Sequence, residues 1–392
     1  MTLAGVLKVV GGLIIVLSIS AHIVRALVIP RARRTMLGSF LDSAVDMTFR
    51  ALARPFEDYE RKDQILAGQG ATFLLVQLAT WLLTYQLGFS LMLWAGVPSF
   101  LAALREVASS MFTLGFIYSG GSGAASIDIA AAAVGLIVVA LQIAYLPTIY
   151  SAFSRREAEV TLLDARAGMP AWGPELLLRT RYGIAAVDDD LPVLYDRWER
   201  WAADVAESHS NYPVLVRFRS PQPLMSWLIG LLAVMDSAAM LLALRPSHER
   251  VEARRALRMG FTALRQIGAA IGLPVDYDPS PDSPIELSFE EFSAAVDQLK
   301  GVGFSMERDA SEAWPHFRGW RVNYEALAYA LAARTDAVPA PWSGPRRWPT
   351  KTVQVRRPPN RRPSPEPLGP GPGNARPGPS TGEGTSAISG GC

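Results

Sequence analysis

Three long stretches of this chain carry almost no charge, and they set its plan. Residues 3–29, LAGVLKVVGGLIIVLSISAHIVRALVI, are apolar apart from Lys8, Ser18, Ser20, His22 and Arg25. Lys8 and Arg25 fall near the ends, where long side chains reach the headgroups, and His22 reads as interfacial beside Arg25. From Gln64 to Leu104, 41 residues pass without a charge, and from Ile129 to Ser154 another 26 do. Crossing a hydrocarbon layer of about 30 Å takes about 20 mostly apolar residues in a helix. Each stretch therefore predicts one crossing. The second holds a helix of about 25–28 residues, near 67–95, which Val97-Pro98 brings to an end. In the third, Ala130 to Ala133 and Gly135 permit close helix–helix approach. Gly135 is also a candidate hinge, and Pro147 is expected to bend the last turn.

Downstream the pattern changes. Residues 155–335 alternate apolar and polar positions at helical spacing, as in ERWAADVAES. Ser288 and Glu291 have capping-box form ahead of EFSAAVDQLKG. Proline-rich turns such as PVDYDPSPDSP separate the helical pieces. Residues 224–244, LMSWLIGLLAVMDSAAMLLAL, are long enough for a fourth crossing. Asp236 opposes that reading, since a carboxylate near the bilayer centre costs about 3 kcal/mol on insertion scales. A buried core helix or a membrane-surface helix fits better, and Asp236 then requires a buried partner such as an arginine.

Loop charge gives an orientation. Seven basic residues lie in 31–65 (Arg31, Arg33, Arg34, Arg50, Arg54, Arg61 and Lys62), and one, Arg105, lies in 96–125. Arg155, Arg156 and Arg166 follow the third stretch. Basic loops stay on the cytoplasmic side, so the expected arrangement is N-terminus outside and C-terminal domain inside a bacterial inner membrane. The first stretch reads as an uncleaved anchor, because its charges follow the apolar run.

Between the second and third crossings lies SSMFTLGFIYSGGSG, residues 109–123. The preceding FLAALREVASSMF, 100–112, predicts a helix of about three turns, too short to span and too apolar for an aqueous loop. A glycine-rich exit follows. Irregular backbone at membrane depth is tolerated only where protein buries it or water lines it. The layout of crossing, short helix, glycine-containing turn and crossing, over about 67–152, resembles the two-transmembrane pore module of potassium channels. That family carries Thr-x-Gly-Tyr/Phe-Gly. This chain has Thr113, Leu114, Gly115 and Phe116 in the first four places, and Ser110 where the family often has a hydroxyl. Ile117 departs, standing where the family has glycine. The resemblance implies a filter whose carbonyls replace an ion's hydration shell, monovalent cations as partners with potassium foremost, and a homotetramer in the lipid bilayer. Ile117 therefore alters the position that forms the family's outermost ion site. More distantly, segments such as YERKDQILAGQG and WERWAADVAESHSNYPVL resemble a family of actinobacterial membrane proteins.

Composition narrows the remaining classes. The chain is 49% hydrophobic and 19% charged, against about 25% charged in soluble domains. A net charge of +2 over 392 residues gives no electrostatic footprint for nucleic acid. Cys392 is the only cysteine, so no intrachain disulfide forms. His22, His209, His248 and His316 show no metal-ligand spacing, and Asp188-Asp189-Asp190 has no EF-hand context. With no phosphate loop, nucleophile elbow or zinc motif, neither an enzyme nor a cofactor is expected. Thirteen prolines crowd 339–379, with a basic excess that suits a disordered tail, one able to touch anionic lipid.

The expected fold class is an all-α membrane protein: three transmembrane helices with a re-entrant pore loop, a helical cytoplasmic domain and a disordered tail. The expected segments are 1–30 (first crossing), 31–65 (basic linker), 66–152 (pore module), 153–335 (cytoplasmic domain) and 336–392 (tail). The expected function is an oligomeric cation channel with a cytoplasmic regulatory domain. The alternative is a non-conducting scaffold or sensor whose cytoplasmic helices bind a partner.

Overall fold

A computed structural model describes residues 2–28, 35–179, 190–248, 250–348 and 350–357. Thirteen α-helices run through these residues: α1 Leu3–Ile23, α2 Met36–Ala53, α3 Tyr59–Ala67, α4 Gln69–Leu93, α5 Phe100–Met111, α6 Ser122–Ala167, α7 Gly173–Leu178, α8 Asp190–Asn211, α9 Trp227–Leu244, α10 Val251–Ala270, α11 Phe289–Gly301, α12 Ala310–Arg321 and α13 Glu325–Thr335. The described residues contain no strand, only an isolated bridge between Met169 and Arg356. Helix starts follow their capping residues. Thr2, Thr35, Asp58, Ser99 and Ser226 each accept a first-turn amide. Ser288 with Glu291, and Asp309 with Glu312, close complete capping boxes, satisfying two orphan donors apiece.

Four segments are long and apolar enough to cross a membrane: Leu3–Leu27, Tyr59–Leu93, Ser122–Ala167 and Trp227–Leu244. Burial separates them. Protein covers 17%, 28% and 22% of the apolar windows of the first three, but 100% of the fourth. The first three keep broad apolar faces for a nonaqueous solvent, whereas α9 has no face left for lipid. The buried-helix expectation for 224–244 therefore holds, and its charged residue has the partner it required. Arg321 Nη1 donates to Asp236 Oδ1 at 2.5 Å, and Tyr324 Oη donates to the same oxygen at 2.7 Å.

Two packed regions result. In one, α1, α4, α5 and α6 enclose Ile19, Trp81, Tyr85, Phe89, Val107, Met111 and Val138. Here α1 and α4 cross where both lack side chains, since a Cβ on Gly12 would stand 2.4 Å from the Gly88 carbonyl. Near that crossing Ser20 and Tyr85 pair their hydroxyls at 2.8 Å, and His22 meets the edge of Trp81. In the other region α9 is the centre, wrapped by α7, α8, α10, α12 and α13. A small cluster of Leu74, Ile149, Val214, Leu215 and Phe218 joins the two.

Three expected boundaries move. The helix of the third apolar stretch does not end near 152. The stretch lies in the first part of α6, a helix of 46 residues, about 69 Å at 1.5 Å per residue. The apolar composition stops at Ser154, but good helix formers continue until Gly168. The segment 31–65 is not a simple linker, because α2 and α3 dock onto the second region. Arg217 binds Asp42 and Asp46 of α2, and Arg219 binds Tyr59 and Asp63 of α3. The tail boundary at 336 is too early. Ala337, Val338, Ala340 and Trp342 are buried, Arg346 donates to the carbonyls of Ala337, Val338, Ser343 and Gly344, and Arg357 forks onto the buried Glu175. A proline-rich strand of chain cannot build a core, but one tryptophan and a few arginines suffice to pin it to a core already present. Residues 358–392 lie outside the described residues, as do Asp188 and Asp189. Asp190 opens α8 and pairs with Arg166 at 3.0 Å, a structural role.

Candidate functional site

The sequence from Ser99 builds a short helix and then forbids its continuation. Ser99 caps α5, and Ala103, Glu106, Val107 and the half-buried Ser110 recur at helical spacing on the face turned into the protein. Twelve residues give about 18 Å, so α5 ends well short of a crossing. It is wedged between α4 and α6. Gln86 of α4 donates to the Leu104 carbonyl at 2.6 Å, and Trp94 meets Phe100 edge-on at 5.5 Å. At its far end α5 abuts α6 at Gly135, where an added Cβ would lie 2.4 Å from the Met111 carbonyl oxygen. Helix α6 runs through Gly135 without a break. Gly135 thus seats the end of α5.

Thr113 turns the chain with φ 57°, and Gly115 with φ 66°. Positive φ costs a β-branched residue on the order of 1–3 kcal/mol and persists where the surroundings impose it. At Gly115 the backbone angle is the reason for glycine, since no atom lies within 4 Å of a would-be Cβ. Ile117 is not among the positive-φ residues, and the loop takes its next such angles at Gly120 and Gly121.

The amides of this loop point one way. Thr113 N–H donates to the Ser110 carbonyl at 2.9 Å, and those of Leu114 and Gly115 to the Ser109 carbonyl at 2.8 and 3.1 Å. The Phe116 and Ile117 amides donate to Ser109 Oγ at 2.9 and 3.2 Å. Ser119 N–H donates to Glu106 Oε1 at 2.7 Å, with the Ser119 hydroxyl on Oε2. Six amides and one hydroxyl therefore converge on three residues of α5. Among the described residues, no hydrogen bond ends on the carbonyl oxygens of Thr113 to Gly120. Leu114, Phe116 and Tyr118 present 62%, 69% and 63% of their surface, so one face of the loop is uncovered in a single chain.

Thr113, Leu114, Gly115 and Phe116 thus come together with α5 as one unit. Ser110 does not join them through its side chain. Its hydroxyl faces α6 and donates to Asp128 Oδ1 at 3.0 Å. The residues that hold the loop, Ser109 and Glu106, were not singled out by sequence reasoning. Both are fully buried. The available signal was a carboxylate three residues before a serine on an otherwise apolar helix, which puts both on one face. Chemically, the uncovered carbonyls can ligate a cation stripped of water. Among the described residues no group of three or more His, Cys, Asp or Glu side chains is placed to hold a metal ion.

No protein-family model, curated protein or solved structure matches this chain.

Proposed function

We propose that this chain is one subunit of an oligomeric, tetrameric cation channel in which α1, α4 and α6 cross the bilayer and α5 with residues 113–117 forms a re-entrant pore loop. Potassium is the foremost ion. The observation that carries this reading is the one-sided loop: its amides are bonded back to Ser109, Ser110 and Glu106 while its carbonyls are left without donors. An ion is the natural partner for such oxygens, and copies of the loop around an axis are needed to surround it. The uncovered Leu114, Phe116 and Tyr118 suit contact between copies. The second packed region supplies a regulatory body on the end of α6.

Reconstitution of the purified chain in planar bilayers tests this. The expected result is cation current that Gly115→Ala abolishes without dissociating the oligomer. Stable oligomers that carry no current across voltage, pH and membrane tension would move the assignment to a non-conducting scaffold, the reading that Ile117 at the fifth filter position favours.

A further inference from the structure

A cavity of about 140 Å³ lies where the three spanning helices end on the α2 side. Its level follows from the helices. Arg25 stands just past the 21 residues of α1, Phe73 and Gln77 lie in the opening turns of α4, and Tyr145 is about 35 Å along α6 from Ser122. Arg25, Phe73 and Tyr145 are each about one bilayer thickness from the far ends of their helices, and Gln77 lies about one turn deeper. All four line the cavity, together with Asp42, Arg217 and Arg334.

Among the lining groups without a partner are one amide and one guanidinium. Gln77 is 9% exposed, and among the described residues its amide makes no hydrogen bond. Arg25 is exposed and has no acidic partner among the described residues. The other charges are already matched. Arg217 Nε and Nη2 donate to the two oxygens of Asp42 at 3.0 and 3.1 Å, and Arg334 Nη2 donates to Asp42 at 2.7 Å. What remains is one guanidinium and one amide, with the Ser39 and Tyr145 hydroxyls, beside the rings of Phe73 and Tyr145. Helix α2, which closes the cavity, carries carboxylates on its docked face and exposes Met36, Phe40 and Met47 on the other, at 93%, 69% and 70%. An exposed apolar face beside the ends of the spanning helices suits contact with the membrane surface, in keeping with a cavity at headgroup depth.

We infer that this cavity receives the phosphate headgroup of an anionic phospholipid. The phosphate sits on Arg25 and the Gln77 amide, and the glycerol and first methylenes lie against Phe73 and Tyr145. The acyl chains stay in the bilayer. The site rests on α1, α4 and α6 crossing the membrane and is independent of conduction.

The test is thermal melting of the full-length chain in neutral detergent with added phosphatidylglycerol, phosphatidylcholine or inorganic phosphate. Phosphatidylglycerol is expected to raise the melting temperature, and the other two are not. Arg25→Gln should melt like the parent without lipid and need about tenfold more phosphatidylglycerol for the same shift, the size of one lost charge-assisted contact. Gln77→Leu should weaken the response independently, while Arg61→Gln, on the exposed side of α3, should leave it unchanged. An unaltered response in both Arg25→Gln and Gln77→Leu overturns the site. A shift reproduced by inorganic phosphate assigns it to a free anion, and one reproduced by phosphatidylcholine to bulk lipid; either outcome overturns the anionic-lipid assignment.

Discussion

Arg156 Nη1 lies 2.9 Å from His209 Nε2, and this contact fixes the imidazole proton. A guanidinium donates and cannot accept. Nε2 is therefore the bare nitrogen, and Nδ1 carries the hydrogen beside Ser208 Oγ at 3.1 Å. The same guanidinium donates to the carbonyls of Leu215 and Phe218 at 2.9 and 2.7 Å and binds Glu157. Trp201 Nε1 returns a bond to the Arg156 carbonyl at 3.0 Å. One fully buried side chain thus ties α6, the helix that continues from the membrane region, to α8 and the turn that follows it. In the channel reading, this is the joint through which the second region would move the pore.

The joint makes stability depend on pH. Burial, and then the charge of Arg156, hold the His209 imidazole well below its ordinary 6.5. The unfolded chain binds a proton near pH 6.5 that the folded chain excludes. Below that pH the unfolded state gains protons that the native state does not, so stability falls by about 1.4 kcal/mol per pH unit. Melting of the solubilised chain from about pH 7.5 down to about pH 5 should show this slope. His209→Gln, whose amide oxygen can still accept from Arg156, should flatten it. A variant with the parental slope would remove His209 as its source.

How far this architecture can be read from sequence depends on the range of each interaction. The apolar runs were legible because lipid imposes a minimum length. The need of Asp236 for a cation was legible because a carboxylate in an apolar helix must be paired. Its partner was not, since Arg321 lies 85 residues away and nothing local marks it. Composition placed the end of the third crossing at the membrane exit, but the helix obeys propensity and runs on to Ala167. In the loop, TLGF stood out while Ser109 did not. Adjacent residues on a helix are rotated by about 100°, so choosing Ser110 over its neighbour meant choosing a different face. The tail was misjudged because proline content describes what a segment cannot build, and says little about what it can be pinned to.

The buried charges around α9 should be the most sensitive part of the second region. Arg321 is fully buried between Asp236 and Glu325, with contacts of 2.5 Å to each. Its Nη2 also donates to Tyr329 Oη and the Trp342 carbonyl, each at 2.8 Å. Burial raises the Asp236 carboxyl, and Arg321 and Tyr324 pull it back toward the ionised range. Arg321→Met strands two buried carboxylates and is expected to destabilise by about 3–5 kcal/mol. Arg200→Met removes a pair whose arginine is 80% exposed and should change stability by no more than about 0.5 kcal/mol. Denaturant titration of both variants decides the contrast, and equal losses would contradict it.

The strap after α13 is part of the folded body. Trp342 is 7% exposed, with its ring 5.7 Å from Trp172 and 5.9 Å from Phe317. Its φ of 61° turns the chain so that its carbonyl faces Arg321. Trp342→Ala should cost about 3–5 kcal/mol and loosen the Arg321 cluster as well. Proteolysis would read this directly, since cleavage within 343–357 should accelerate in the variant. A variant as resistant and as stable as the parent would mean that the strap is only laid on the surface.

Ser109 and Ser110 separate a pore loop from a packing hairpin. Ser109 Oγ accepts two loop amides, while Ser110 Oγ is turned away toward Asp128. Ser109→Ala leaves the Phe116 and Ile117 amides without their acceptor, at about 0.5–1.5 kcal/mol for each part-buried hydrogen bond lost. Those amides would then turn, and the carbonyls across the same peptides would turn with them. In the channel reading, conductance should collapse while the fold and the oligomer survive, because α5 still packs through Val107 and Met111. Glu106→Gln should act more mildly, since one amide oxygen remains for the Ser119 N–H. Ser110→Ala breaks a bond to α6 and should lower stability more than it alters current. Thr113→Cys adds the test of access: the only native thiol is Cys392, so a Cys392→Ser background makes block by silver ion specific to the loop. Current that persists in Ser109→Ala, or silver that leaves Thr113→Cys current untouched, would place the ion path elsewhere in the protein.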